Sequence, residues 1–117
     1  MGFFSKLLGA PAATHDLDVI EAKRRLHRGA LLVDVRESDE WQAGHAPGAR
    51  HIPLGTLAGH LDSLPRDRDV LLICRSGNRS GAAHGLLARH GFERAFNVTG
   101  GMQAWTRAGL PTTRPGR

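Results

Sequence analysis

Val70-Leu71-Leu72-Ile73-Cys74-Arg75-Ser76-Gly77-Asn78-Arg79-Ser80 sets an unbroken apolar run directly before the chain's only cysteine and a short polar loop. Residues 81–90 follow with apolar side chains at helical spacing, and Gly91 ends them. The order strand, tight loop, helix follows from that change of period. An apolar run without polar alternation is the pattern of a parallel strand covered on both faces. The same alternation recurs outward in both directions.

Upstream, residues 14–18 can hold a short first strand and a cap, with Asp16 or Asp18 as the N-cap. Val19, Ile20, Ala22 and Leu26 then form a helical stripe stopped by Gly29, with Lys23, Arg24, Arg25 and Arg28 outward as a solvated basic face near the helix end. Residues 30–35 read as a second buried strand, ending in Asp34 and Arg36. Ser38-Asp39-Glu40 reads as a helix start that carries Trp41 into the core, and Arg50-His51-Ile52-Pro53 as a short strand. Leu54, Leu57, Leu61 and Leu64 give a third helical stripe, closed by Pro65. Downstream, Ala82, Ala83, Leu86 and Leu87 are expected to face the core. Phe96-Asn97-Val98 is a last short strand, and Gly100-Gly101 opens a helix with Met102 and Trp105. Strands alternating with helices over this length predict one α/β domain with a mostly parallel sheet, helices on both faces and right-handed crossovers. Ligands in such sheets bind beyond the carboxyl ends of the strands, where Cys74 lies.

A thiol between a strand's carboxyl end and a helix amino terminus meets unpaired backbone N–H groups and the positive end of the helix dipole. In such surroundings a cysteine pKa falls from about 8.5 to about 3.5–7.5, and Arg75 and Arg79 are expected to act in the same direction. Gly77 permits backbone angles closed to other residues, while Ser76, Asn78 and Ser80 can line a concave turn or cap the helix. The loop therefore reads as one nucleophile, Cys74, inside an anion cradle of backbone donors. The plainer reading is a buried cysteine behaving as a small hydrophobe beside two solvated arginines.

Composition narrows the classes. The 117 residues fit one domain with a real core, 40% apolar and 23% charged, as in ordinary globular proteins. With one cysteine there is no internal disulfide, which makes the cytoplasm the default setting. The net charge is +5, but the basic residues are scattered and aromatics amount to 5% with no tyrosine, so a base-stacking nucleic-acid surface is poorly supplied. His45 and His51 have no nearby cysteine to complete a metal site, and His45 is expected to bond locally in its turn; no metal or cofactor is predicted. No stretch is long enough to span a bilayer.

The loop resembles the active-site loop of single-domain rhodaneses, sulfurtransferases that carry sulfur as a cysteine persulfide. Matching stretches occur in the family's order: Leu32-Val33-Asp34-Val35-Arg36, Glu40-Trp41, Gly44-His45-Ala46-Pro47-Gly48-Ala49 with Ile52-Pro53, and Gly100-Gly101-Met102 with Trp105. Together they span nearly the whole chain. The resemblance implies a five-stranded sheet of rhodanese type. It implies sulfur transfer through a persulfide on Cys74, with Arg75, Ser76, Gly77, Asn78, Arg79 and Ser80 holding a small anionic donor such as thiosulfate. The acceptor would be cyanide in an assay, and a thiol or a protein in the cell. The net positive charge would steer such anions or acidic partners toward the site. A role for Asp34 in steadying the loop is likewise implied; the alternative is an Asp34–Arg36 ion pair that only joins elements. Glu40 and Arg36 are read as structural.

Two other classes stand beside this one. Dual-specificity phosphatases and some arsenate reductases resemble the fold, but their loops are one residue longer, with the arginine six positions after the cysteine, where Ser80 stands here. A non-enzymatic regulatory module or a sulfur carrier is the other. Residues 14–111 are expected to form the domain, with 112–117 a loose tail. Residues 1–13 are read as a flexible or amphipathic extension, in which Phe3, Phe4, Leu7 and Leu8 would share a helix face. That segment fits neither a signal peptide nor a myristoylation site.

Overall fold

A computed structural model of the chain describes residues 15–115, so the reading of the amino-terminal extension lies outside the described residues. Five strands form one all-parallel sheet in the order β1-β5-β4-β2-β3. They are β1 (Asp16–Leu17), β2 (Leu31–Asp34), β3 (Arg50–His51), β4 (Val70–Ile73) and β5 (Ala95–Val98). The helices are α1 (Val19–His27), α2 (Ser38–Ala43), a 3-10 helix (Leu54–Ser63), α3 (Asn78–Arg89) and α4 (Gly101–Arg107). β4 is central and all four of its residues are buried, as its unbroken apolar sequence requires.

Alternation along the strands divides the core in two. Val33, Val35, Val70 and Leu72 point to one face, where Leu57 and Leu61 of the 3-10 helix and Ala83 and Leu87 of α3 cover them. Leu32, Leu71, Ile73 and Val98 point to the other, covered by Ala22 of α1 and by Met102 and Trp105 of α4. The Trp105 indole N–H donates to the Pro111 carbonyl at 2.8 Å, which satisfies the polar edge of an otherwise buried ring. Of the two candidate caps, Asp18 caps α1: its carboxylate accepts from the Glu21 amide at 2.8 Å.

Five local expectations fail. Ile20 is 59% exposed, because α1 turns only Val19, Ala22 and part of Leu26 inward. Ala82 is exposed in the same way, one position round α3 from the buried Ala83. Trp41 does not enter the core: half-buried, it stacks on His45 at 3.4 Å and on His51 at 4.8 Å between ring centroids. The His45 ring bonds to the Trp41 carbonyl within the turn. The segment after Pro53 winds as a 3-10 helix, in keeping with the low helix propensity of Gly55 and Gly59 inside it. The expected loose tail is also tied at Thr113, which exchanges two backbone hydrogen bonds with His45 at 2.8 and 2.9 Å.

Candidate active site

β4 delivers Cys74 to the carboxyl end of the sheet, and α3 starts four residues later. Gly77 is the residue that turns the chain, with φ +113° in the left-handed region that favours glycine. A Cβ there would also crowd Gly100 N at 3.4 Å. Gly77 is the N-cap of α3, yet no side chain caps the helix. The expected capping by Ser76, Asn78 or Ser80 is replaced by the sulfur itself. Cys74 Sγ accepts from the Gly77 amide at 3.1 Å and from Ser80 Oγ at 3.3 Å.

The residue is 1% exposed, and burial pushes its thiol up; this is the largest single influence. The Ser80 hydroxyl and the amides of Ser80, Gly77 and Ser76 act the other way and together outweigh it, so the net shift is downward. Hydrogen bonds within the loop therefore favour the thiolate, as the cradle reading expects. Of the two arginines, Arg79 interacts electrostatically with the Cys74 thiolate while keeping a carboxylate partner of its own. Arg75 is exposed. Arg79 forms a two-pronged pair with Glu40 of α2, NH1 to Oε1 at 2.7 Å and NH2 to Oε2 at 2.8 Å. Arg79 holds the Glu40 carboxyl at about 2, well below the usual carboxylate range, and Glu40 in turn raises Arg79. Ser76 and Asn78 are exposed on the rim.

Asp34 lies in register with Ile73, one residue short of the loop, and is fully buried. Among the described residues its carboxylate bonds go to Arg36. Nε approaches Oδ1 at 2.9 Å and Oδ2 at 3.1 Å, NH2 approaches Oδ2 at 2.8 Å, and the Arg36 amide lies 3.0 Å from Oδ1. Arg36 also donates to the Gly44 carbonyl at 2.8 Å. The Asp34–Arg36 ion pair is thus present at the end of β2, beside the strand that leads into the loop.

Three contributors escape the sequence reading. Asn97 of β5 accepts from Ser80 Oγ at 2.6 Å, while its Nδ2 reaches Asp16 Oδ1 at 3.4 Å. A hydroxyl has one proton, so Ser80 cannot donate to Asn97 and to the sulfur at once. A polar residue inside an otherwise apolar strand was the available signal, since such a group needs a partner. Glu40 is the second: it was read as structural, at a helix start, and its tie to Arg79 of the loop was not foreseen. The third is the amino end of α4: the amides of Met102 and Gln103 donate to the carbonyls of Cys74 and Arg75 at 2.8 and 3.0 Å, which fixes the loop from behind.

Among the described residues, no group of three or more His, Cys, Asp or Glu side chains could hold a metal ion, and no helix is long and apolar enough to cross a membrane.

Comparison with known proteins agrees with this geometry. The family profile of the rhodanese-like domain matches residues 18–108. A sulfurtransferase of Allochromatium vinosum is 41% identical over 85 residues, 73% of this chain and 79% of that protein. The Bacillus subtilis protein YrkF, named as a candidate sulfur carrier, is 39% identical over 75 residues; these cover 64% of this chain and 40% of YrkF. Among solved structures, a rhodanese-related protein of Thermoplasma volcanium superposes with a TM-score of 0.79 at 29% identity, covering 85% of this chain and 97% of that one. A rhodanese-like domain protein of Staphylococcus aureus gives 0.72 at 30%, covering 86% and 93%. With its sole thiol cradled at the end of a five-stranded parallel sheet and the profile spanning most of its length, the chain belongs to the rhodanese-like family.

Proposed function

We propose that the chain is a sulfurtransferase that takes a sulfane sulfur from thiosulfate, or a donor of the same kind, onto Cys74 and passes it to a thiol or protein acceptor. The Cys74 thiolate attacks the outer sulfur of thiosulfate. The bond between the two sulfurs of the donor breaks, and its electron pair leaves with sulfite. Cysteine persulfide remains, carrying one negative charge on a sulfur about 2 Å further out. A second nucleophile attacks that outer sulfur and regenerates the thiolate; cyanide leaves as thiocyanate, and a thiolate leaves as a persulfide. Arg75 at the rim attracts the anionic donor, and Arg79 offers the N–H groups that Glu40 leaves free. Gly77, Ser80 and the neighbouring amides stabilise the sulfur anion at each stage, with Ser76 and Asn78 lining the rim.

The observation that carries this reading is the convergence of the Gly77 amide and Ser80 hydroxyl on Cys74 Sγ, to which no carboxylate or imidazole of the described residues is hydrogen-bonded. A thiolate already favoured by its surroundings needs no general base. Intact-mass measurement after incubation with thiosulfate is the test. The parent chain is expected to gain one sulfur atom that cyanide removes, and Cys74→Ser to gain none. Arg79→Ala is expected to load more slowly while remaining folded. Sulfur on the Cys74→Ser chain, or none on the parent, would overturn the scheme. Release of phosphate from an aryl phosphate without sulfite from thiosulfate would replace it with phosphatase chemistry. Loading followed by fast transfer only to a protein acceptor would identify a carrier.

A further inference from the structure

The opposite end of the sheet holds a second concave site. A cavity of about 310 Å³ opens there, lined by Arg24, Arg25, Arg28, Arg68, Arg94 and Asp69 with the backbone at Gly29 and Ala30. Asp69 immediately precedes β4 and Cys74 immediately follows it. Four residues of extended chain separate the two, so the cavity lies roughly 15 Å from the sulfur.

Its charges do not cancel. Glu21 pairs with Arg24 and Arg25, and Asp69 pairs with Arg25 at 3.2 Å and Arg94 at 3.0 Å. Five guanidinium groups against these two carboxylates leave a surplus of three positive charges. The side chains of Arg28 and Arg68 make no hydrogen bond or ion pair with any described residue. The other arginines are held in place. Arg94 also donates to the Asp67 carbonyl at 2.7 Å, and Arg25 lies 4.6 Å over the Phe96 ring. Cations near the last turn of α1 are explained by the helix dipole alone. Arg68 and Arg94 are not: they come from the segments that enter β4 and β5, so the topology brings three separate elements to one cluster.

Guanidinium forks with spare N–H groups, here set among arginines already held in place, are the chemistry that recognises phosphate oxygens in pairs. The volume is at the lower end of small-molecule sites, enough for a compact anion rather than a large cofactor. We propose that this cavity is a second binding site, separate from Cys74, for a small polyphosphate: a pyrophosphate unit, free or carried on a nucleotide.

Titration calorimetry of the full chain with pyrophosphate and with ADP, in chloride buffer, tests it. Parent and Cys74→Ser are expected to bind pyrophosphate equally at one site, and the double variant Arg28→Ala/Arg68→Ala to bind at least tenfold more weakly. Those two side chains are exposed and make no hydrogen bond or ion pair with a described residue, so the variant is expected to fold and to load sulfur from thiosulfate at the parent rate. Tighter binding of ADP than of pyrophosphate assigns the unit to a nucleotide, and equal binding assigns it to free polyphosphate. Absence of binding at millimolar pyrophosphate, binding unchanged in the double variant, or binding abolished by Cys74→Ser would each overturn the proposal. Loss of sulfur loading in the parent leaves this site intact and removes only the reading of Cys74.

Discussion

Replacing Gly101 by alanine is expected to damage the thiol loop from a residue outside it. Gly101 has φ +55°, and a Cβ there would fall on the Cys74 carbonyl oxygen and 2.6 Å from both the carbonyl carbon and oxygen of Arg75. These atoms belong to backbone, so no side chain can swing away. Reaching ordinary contact at 3.4 Å with the nearest of them requires α4 and the loop to separate by about 1 Å. The left-handed conformation costs a non-glycine residue about 1–2 kcal/mol. Stretching the hydrogen bonds from the Met102 and Gln103 amides adds about 1 kcal/mol each. The variant is therefore expected to lose about 3–4 kcal/mol, a fall in Tm of about 12–16 °C for a domain of this size. At a temperature where it remains folded, sulfur loading should fall about 100-fold, since a displacement near 1 Å at a reacting group has that effect. Scanning calorimetry and loading kinetics measure both, with Gly59→Ala as control, because its Cβ would meet nothing within 4 Å. A Gly101→Ala protein melting within about 3 °C of the parent, and loading at the parent rate, would refute the account of how α4 braces the loop.

Ser80→Ala removes the strongest of the hydrogen bonds that lower the Cys74 thiol, so the acid limb of the loading profile should move to higher pH. Where the thiol form dominates, the rate should fall about tenfold, the equivalent of one hydrogen bond to a charged acceptor. Asn97→Ala should move the limb the other way, because it frees the Ser80 proton for the sulfur, and the double variant should behave as Ser80→Ala. Thiolate absorbance followed against pH distinguishes these; an Asn97 effect that persists without Ser80 would contradict the shared proton. Glu40→Gln removes the ion pair with Arg79. The depression of Glu40 to about 2 corresponds to roughly 3 kcal/mol, which solvent screening of side chains 34% and 25% exposed reduces to about 1 kcal/mol. Since the folded carboxyl is the stronger acid, that contribution is complete above about pH 4.5 and is lost as the pH falls toward about 2. Denaturation curves of parent and variant should converge over that interval, and a gap unchanged at pH 2 would show that the pair is not its source.

The parts of the fold that follow from periodicity were legible in the sequence. Val70-Leu71-Leu72-Ile73 could only be a strand buried on both faces, and it lies at the centre of the sheet. The loop was legible because glycine, two serines and a lone cysteine between strand and helix restrict what the backbone can do. The identity of the donors around the sulfur was not. Asn97 lies 23 positions from Cys74 and meets Ser80 only because β5 pairs with β4, Leu72 opposite Asn97. Arg79 was expected to help hold the donor, and its pairing with Glu40 depends on where α2 packs relative to α3, which no local pattern encodes. The same holds for Trp41: an aromatic at the start of a helix reads as core, but the stack of His45 and His51 needs two turns of chain to meet.

The origin of the thiolate bears on what the loop can do next. The groups that favour a thiolate at Cys74 are a hydroxyl and three amides within the loop, while the guanidinium nearest in sequence on α3 is paired with Glu40. Neutral dipoles fixed by the backbone act over a short range and need no reorganisation when charge moves outward by one sulfur. A formal cation locked against the sulfur would instead stabilise the starting thiolate more than the persulfide anion beyond it, and would slow the forward step. Amides distributed around a concave turn can meet the charge at either position, each at short range, so on the proposed scheme the persulfide would be formed and surrendered by the same loop. That arrangement suits the role proposed for Cys74, a residue that would hold sulfur between donor and acceptor.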